Sequence, residues 1–235
     1  MSLPRGRLFA EVNRRAPLRP SAPRGARSPL KFGPSAAVAR FSSEILGCVM
    51  STTSRSPTLG YDLVEMLAVP YRATAAYNGL LRLGHAALPV VHAGLRHGSA
   101  DVRFHCCRFL DRYLRPDILS DLLGMLNDSD ERVRVTTLHT LACERCKEGS
   151  CRPEEAQVLP QAMRLLASDP SAHVRAMAIE VIGQFVHTNP SAVEAIEAAA
   201  RSDKSSTVRK KAGWYASGGT IYRRSAPKAP RRASA

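Results

Sequence analysis

An apolar run, a short polar turn and a Val-Arg pair follow one another in Leu122-Leu123-Gly124-Met125-Leu126-Asn127-Asp128-Ser129-Asp130-Glu131-Arg132-Val133-Arg134. The polar turn residues end the apolar run, and Asp130 can cap the start of a second helix. After the turn, Val133, Thr137 and Leu141 recur at the spacing that places side chains on one face of an α-helix. The segment therefore predicts a helix, a tight turn and a second helix.

The same unit recurs along the chain, which indicates a repeat protein. Val-Arg pairs begin at Val102, Val133, Val174 and Val208, at spacings of 31, 41 and 34 residues. A step of 31 residues back from Val102 reaches Tyr71-Arg72, which we interpret as a degenerate fifth copy. The fourth residue after each starting position is small, and the five residues are Ala75, Cys106, Thr137, Ala178 and Ala212. A small side chain at this position lets neighbouring helices approach closely.

The repeat pattern resembles that of HEAT repeats, and more closely the bacterial HEAT-like repeats, over residues 57–217. The resemblance implies an all-α, right-handed α-solenoid of about five HEAT-like helical hairpins. It also implies that the arginine of each Val-Arg pair bridges neighbouring repeats through turn carboxylates such as Asp101, Asp128 or Asp169. The alternative is that these arginines are solvated surface charges. The arginines are Arg103, Arg134, Arg175 and Arg209.

Most of the formal charge of +14 on this chain of 235 residues lies outside the predicted repeats. Residues 1–49 contain nine basic and two acidic side chains, and residues 219–235 contain five basic and no acidic ones. The segment between them has 20 basic and 18 acidic side chains, a net charge of +2. Nucleic-acid-binding domains concentrate basic residues on a folded face. The total charge therefore gives little support to DNA or RNA binding by the repeats.

Residues 1–56 and 218–235 are predicted to be disordered basic tails, because Arg, Pro, Ala, Gly and Ser dominate them without a sustained period. Three interpretations of the N-terminal tail stay open: untranslated sequence ahead of a true start at Met50, a mitochondrial transit peptide, or a basic arm that contacts phosphates. The chain has 28 arginines and 6 lysines, which indicates GC-rich coding DNA. We expect a bacterial, cytoplasmic protein, or a mitochondrial one if the tail is a transit peptide. The sequence predicts no membrane-spanning helix.

The second helices of the repeats are predicted to form a concave surface that binds a protein partner, as a scaffold or adaptor without catalysis. The candidate contacts lie six positions after each repeat start and are Tyr77, Arg108, His139, Glu180 and Trp214. They share one angular position, and Tyr, Arg and Trp are enriched at interface hot spots. The alternative is an ordinary mixed surface.

Nucleic-acid binding is the second functional hypothesis, with contacts from the basic tails and from the corner between Lys210 and Trp214. Catalysis is not expected. Deoxyhypusine hydroxylases resemble this architecture but bind iron through His-Glu pairs, and the sequence has no His-Glu dipeptide. It also lacks a phycobilin lyase signature and the strongly cationic groove of DNA alkylation-repair glycosylases.

The wide spacing between Val133 and Val174 holds the most specific local pattern, which is His139, Cys143, Cys146 and Cys151. The first three of these residues span about 60° of a helix surface. Gly149-Ser150 then lets the chain fold back and bring Cys151 towards them. Three thiolates and an imidazole predict a structural zinc site. A disulfide or redox role and ordinary unliganded thiols are the alternatives.

Overall fold

The computed structural model describes residues 56–143, 147 and 153–227, which belong to the compact unit Val49–Ala235. Their helices are α1 (Ser56–Met66), α2 (Pro70–Leu83), α3 (Leu88–Gly94), α4 (Ala100–Tyr113), α5 (Leu119–Gly124), α6 (Glu131–Ala142), α7 (Glu155–Ser168), α8 (Ala172–Ile182), α9 (Pro190–Ser202), α10 (Ser206–Tyr215) and α11 (Thr220–Ser225). Short 3₁₀ segments adjoin α3 and α5. Within these ranges the chain contains no β-strand.

Consecutive helices pair into five hairpins over the described residues, from α1/α2 to α9/α10. The second helices pack against one another in chain order, because α4 contacts both α2 and α6, and α8 contacts both α6 and α10. Among the first helices, α1 packs on α3 and α7 packs on α9. One apolar core runs between the two layers. This stack confirms the predicted all-α solenoid of about five hairpins.

The Val-Arg register defines the core of the last four hairpins. The starting residues Val102, Val133, Val174 and Val208 are all 0% exposed. The small residues four positions later are also 0% exposed, and they are Cys106, Thr137, Ala178 and Ala212. A helix with small residues on its buried face can pack closely on both neighbours in its layer.

The register of the first hairpin differs from the prediction by two residues. Tyr71 is 80% exposed and Ala75 is also exposed, whereas Ala73 and Tyr77 are buried. The apolar face of α2 repeats from Ala73 at helical spacing, and Tyr71 falls in the first turn on the solvent side. Counted from Ala73, Tyr77 occupies the fourth position, where the later repeats have a small core residue. The predicted repeat start at Tyr71-Arg72 is therefore wrong.

A ladder of arginine–aspartate pairs joins the turns of successive hairpins. Two guanidinium nitrogens of each arginine donate to one carboxylate of the next turn, at 2.6 and 2.8 Å for Arg103–Asp128, 2.8 and 3.1 Å for Arg134–Asp169, and 2.8 and 2.9 Å for Arg175–Asp203. Nη1 of each arginine donates to backbone carbonyls of its own turn. Each of these arginines thus ties its own turn to the next one.

The two ends of the ladder depart from the predicted bridging pattern. Arg209 donates through Nη1 to the carbonyl of Asp203, which belongs to its own turn. Asp101 does not pair with a repeat arginine, because it accepts from Arg132 Nη1 at 2.8 Å. Both side chains of that pair are about half exposed, at 43% and 51%. Asp101 is therefore corrected from a ladder residue to a partner in a surface ion pair.

Two serines at the start of second helices allow the capping energy to be measured. Ser171 Oγ accepts from the N–H groups of His173 and Val174, whereas Ser205 precedes α10 without a side-chain cap bond. We expect Ser171→Ala to lower the unfolding free energy by about 1 kcal/mol, because two helix N–H groups lose their acceptor. Ser205→Ala is the matched control and should cost less than about 0.5 kcal/mol. Equal losses in urea unfolding would contradict this assignment.

The solenoid extends beyond its predicted end at residue 217. Thr220–Ser225 form α11, and the ring of Tyr222 lies 4.4 Å from that of His187 between centroids. His187 Nε2 also lies 3.1 Å from the Tyr222 carbonyl oxygen. The prediction of a disordered tail is therefore wrong for residues 220–225. Of the predicted tail residues, 1–55 and 228–235 lie outside the described ranges.

Candidate functional site

The second-helix layer presents the predicted contact row on adjacent helices. Arg108 on α4 is exposed, and its guanidinium lies 4.4 Å from the centroid of the Tyr77 ring. His139 on α6 and Glu180 on α8 are half-buried, and Trp214 on α10 is 43% exposed. Because the sequence predicts them as partner contacts, Arg108, His139, Glu180 and Trp214 are called the binding face below.

Tyr77 does not belong to this exposed row. Its side chain is 8% exposed, and its hydroxyl donates to the Arg108 carbonyl oxygen at 3.3 Å. Burial raises the pKa of Tyr77, although the nearby Arg108 charge opposes that rise. The two-residue shift in register explains why the ring packs between α2 and α4. The prediction that Tyr77 points away from the core is therefore corrected.

The basic corner of α10, from Lys210 to Trp214, carries less available positive charge than its sequence indicates. Lys211 Nζ donates to Glu180 Oε1 at 2.5 Å, which neutralises one of the two lysines within the protein. Lys210 Nζ lies 5.9 Å from the centroid of the Trp214 ring, within the range of a cation–π contact. The corner is therefore one lysine stacked on an exposed tryptophan, next to an internal ion pair.

A cluster of three potential metal ligands spans the neighbouring helices α4 and α6. Oxygen, nitrogen and sulfur atoms of Asp111, His139 and Cys143 all lie within 4.8 Å of one another. His139 and Cys143 are four residues apart, so they share a face at the end of α6. Lys147 fixes that end, because its Nζ donates to the carbonyls of Thr140 and Cys143. The cluster therefore lies where α6 ends, with Cys143 as the C-cap residue of that helix.

The carboxylate of Asp111 determines the electrostatics of this cluster. Its Oδ2 lies 3.5 Å from His139 Nε2, and its side chain is 15% exposed. Interaction with this carboxylate raises the pKa of His139, while burial opposes the rise. Oδ1 of Asp111 is buried and has no hydrogen-bond partner. A buried carboxylate oxygen without a partner is costly, so its environment suits a cation.

Two of the four predicted metal ligands, His139 and Cys143, belong to this cluster. Cys146 and Cys151 lie outside the described residues, so the predicted zinc set of three thiolates remains a hypothesis. Cys106 and Cys107 are 0% exposed, and burial raises the pKa of Cys107 to about 12 and that of Cys106 still further. These two thiols are therefore packing residues that stay protonated.

Sequence reasoning missed Asp111 as a member of the cluster. The residue lies nine positions after Val102, whereas His139 lies six positions after Val133. Comparing equal positions in each repeat could not pair them. A comparison that allowed a shift of one helical turn between neighbouring second helices would have brought the carboxylate and the imidazole together.

Part of the chain matches a known repeat family. Residues 120–217 match the family described as HEAT repeats. No curated protein matches the chain. Within the described ranges, no helix has both the length and the apolar character that crossing a bilayer requires.

Two solved structures are similar to this chain, and the fold comparison rests on the first of them. A chain from the complex of CpcE and CpcF of phycocyanin lyase from Nostoc sp. PCC7120 is 18% identical and has a TM-score of 0.53; the match covers 66% of this chain and 96% of that one. A designed armadillo repeat protein in complex with the peptide (KR)4 is 19% identical and has a TM-score of 0.48, with 66% and 79% covered. At such identities the likeness concerns the fold alone. Residues 120–217 thus match the HEAT-repeat family, and the fold of this protein is a helical-repeat α-solenoid.

Proposed function

We propose that this protein is a non-enzymatic scaffold or adaptor that binds a protein partner through the binding face. The observation that carries the proposal is the exposure of Trp214 in line with exposed Arg108, on a layer whose other large apolar side chains are mostly buried. Trp and Arg are the residue types that most often dominate interface energies. Side chains on four consecutive second helices provide an extended contact surface.

The mixed charge of the binding face favours a protein over a nucleic acid. Asp111, whose Oδ2 lies 3.5 Å from His139 Nε2, places a carboxylate along the same row of helices as Arg108. Because the Lys211 charge is paired with Glu180, the basic corner is reduced to Lys210 beside Trp214. A phosphate backbone would meet both signs of charge, whereas a protein segment can match both. Nucleic-acid binding through the tails and this corner remains the second hypothesis.

Lyase activity is not part of the proposal. The likeness to the phycocyanin lyase subunits is one of fold, and the same architecture supports binding and catalytic proteins alike. The proposed role needs only rigid helices that present side chains at fixed spacing.

Site-specific photo-crosslinking tests the proposed binding face. A photoreactive residue replaces Arg108 in one variant and Glu194, which is exposed on the first-layer helix α9, in the control. In nuclease-treated extracts, we expect discrete protein adducts from the Arg108 position and none from the Glu194 position. Adducts that disappear with nuclease, or equal adducts from both positions, would contradict the proposal.

Truncation of the exposed tryptophan measures how much Trp214 contributes to partner binding in the same crosslinking experiment. We expect Trp214→Ala to reduce the Arg108-position adducts by about tenfold or more, because hot-spot truncations typically cost about 2 kcal/mol or more. Tyr71→Ala removes an aromatic ring that is 80% exposed but lies outside the binding face, and it should leave the adducts unchanged. Equal effects of the two substitutions would show that Trp214 is not a contact.

A further inference from the structure

The cluster at the junction of α4 and α6 combines three different donor atoms. Asp111 supplies a carboxylate from one hairpin, and His139 and Cys143 supply an imidazole and a thiol from the next. The sequence pattern alone favoured ligands from α6 and the following segment. The carboxylate of α4 gives the cluster a donor that belongs to a neighbouring repeat.

The separations in the cluster suit a tetrahedral ion. Zinc holds oxygen and nitrogen ligands at about 2.0–2.2 Å and sulfur at about 2.3 Å, so its ligands lie about 3.3–3.6 Å from one another. Asp111 Oδ2 and His139 Nε2 are 3.5 Å apart, and all three ligand atoms lie within 4.8 Å. Small side-chain rotations would close the remaining gap to Cys143 Sγ. Amide and water ligands alone would not supply a nitrogen, a sulfur and a negatively charged oxygen together.

Burial and charge favour a cation at the same place. The Oδ1 atom of Asp111 is buried without a hydrogen-bond partner, so this oxygen lacks the hydrogen-bond donor that buried carboxylate oxygens usually have. The Asp111 carboxylate and a Cys143 thiolate together would neutralise a divalent ion. The side chain of His139 is 45% exposed, so an ion has a path from solvent.

We propose that Asp111, His139 and Cys143 bind a zinc ion that joins the second helices of two adjacent repeats. A thiolate and an imidazole select zinc over magnesium and calcium, which prefer sets of oxygen ligands. Three protein ligands leave a fourth position for water. The site differs from the set of His139, Cys143, Cys146 and Cys151 by its dependence on the α4 carboxylate. The inference does not rest on the proposed function.

Zinc titration of the full-length chain without a histidine tag tests the site. We expect one equivalent of zinc to bind to reduced, chelator-treated protein, as measured by elemental analysis and by competition with a chromogenic chelator. Asp111→Asn should weaken zinc binding by about 100-fold or more, because even outer-sphere partners of metal ligands contribute 10–100-fold. Cys143→Ser, at the half-exposed end of α6, should weaken it similarly without a core change.

Matched controls separate the proposed site from other zinc sites in the chain. His173→Gln removes an imidazole that is 82% exposed and lies beside a carboxylate elsewhere, so it should leave zinc affinity unchanged. Cobalt substitution gives a second readout, since a tetrahedral thiolate-bound ion has intense visible bands that Asp111→Asn should abolish or shift. Circular dichroism before titration confirms that each variant is folded.

Two results would overturn the inference. One is reduced wild-type protein that binds no stoichiometric zinc. The other is folded Asp111→Asn protein with wild-type zinc affinity, especially if Cys146→Ser or Cys151→Ser abolishes binding. That second pattern would place the ion in the set of three thiolates predicted from the sequence instead.

Discussion

Asp169→Ala should destabilise the solenoid by about 3–5 kcal/mol, because it leaves a buried guanidinium without its counter-ion. Asp169 accepts two hydrogen bonds from Arg134, at 2.8 and 3.1 Å, and a third from the N–H of Ser171 at 2.9 Å. The side chains of Arg134 and Asp169 are only 11% and 4% exposed. Alanine removes all three acceptor contacts.

Hydrogen bonds to backbone carbonyls hold the Arg134 side chain in place after its counter-ion is removed. Its Nη1 remains held by the carbonyls of Asp128 and Ser129, at 2.7 and 3.1 Å. The guanidinium therefore cannot swing into solvent without losing those bonds as well. Replacement of a buried ion pair by two apolar residues is often tolerated, but here it would also leave the two turn carbonyls without their donor. The ladder is thus best described as a connection between turns rather than as isolated ion pairs.

Urea unfolding followed by circular dichroism and by Trp214 fluorescence measures the effect. The chain has a single tryptophan, so its fluorescence reports on α10 while circular dichroism reports on all helices. Both transitions should move to lower urea if the ladder couples the repeats. Asp101→Ala is the control, since its pair with Arg132 is about half exposed and should contribute less than about 1 kcal/mol. Equal losses in the two variants would refute the assigned role of the ladder.

The regular part of the architecture could be predicted because it depends on nearest neighbours in a stack. Val133 and Thr137 recur with equivalents in three other repeats, and burying them requires only that each helix pack on copies of itself. Terminal repeats lack one neighbour, so their pattern is less constrained. The step of 31 residues therefore pairs Tyr71 with Val102, although the buried face of α2 begins at Ala73.

Side-chain partners from different repeat positions were harder to predict than the core. Asp111 and His139 meet only because α4 and α6 pack with a longitudinal offset, and the sequence does not encode that offset as a period. The pairing of Lys211 with Glu180 likewise joins different positions of α10 and α8. Composition revealed the charges of these residues, but only packing decides which charges neutralise one another. The net charge of the binding face therefore could not be read from the sequence.

Ala178→Leu should destabilise the protein by about 1–3 kcal/mol through overpacking. Ala178 is 0% exposed at the small position of α8, which packs against α6 on one side and α10 on the other. Three additional carbon atoms at this position must separate helices or force side chains from their preferred rotamers. The helix propensities of alanine and leucine are close, so local helix stability changes little.

Ala198→Leu makes the same chemical change at an exposed position of α9 and should alter stability by less than about 0.5 kcal/mol. In thermal unfolding, we expect Ala178→Leu to lower the Tm by several degrees, since about 1 kcal/mol corresponds to about 2–4 °C in a domain of this size. A neutral Ala178→Leu variant would mean that α8 can move away from its neighbours without cost. In that case the small residues would not set the helix spacing, and the side chains of the binding face would not be held at fixed separations for a partner.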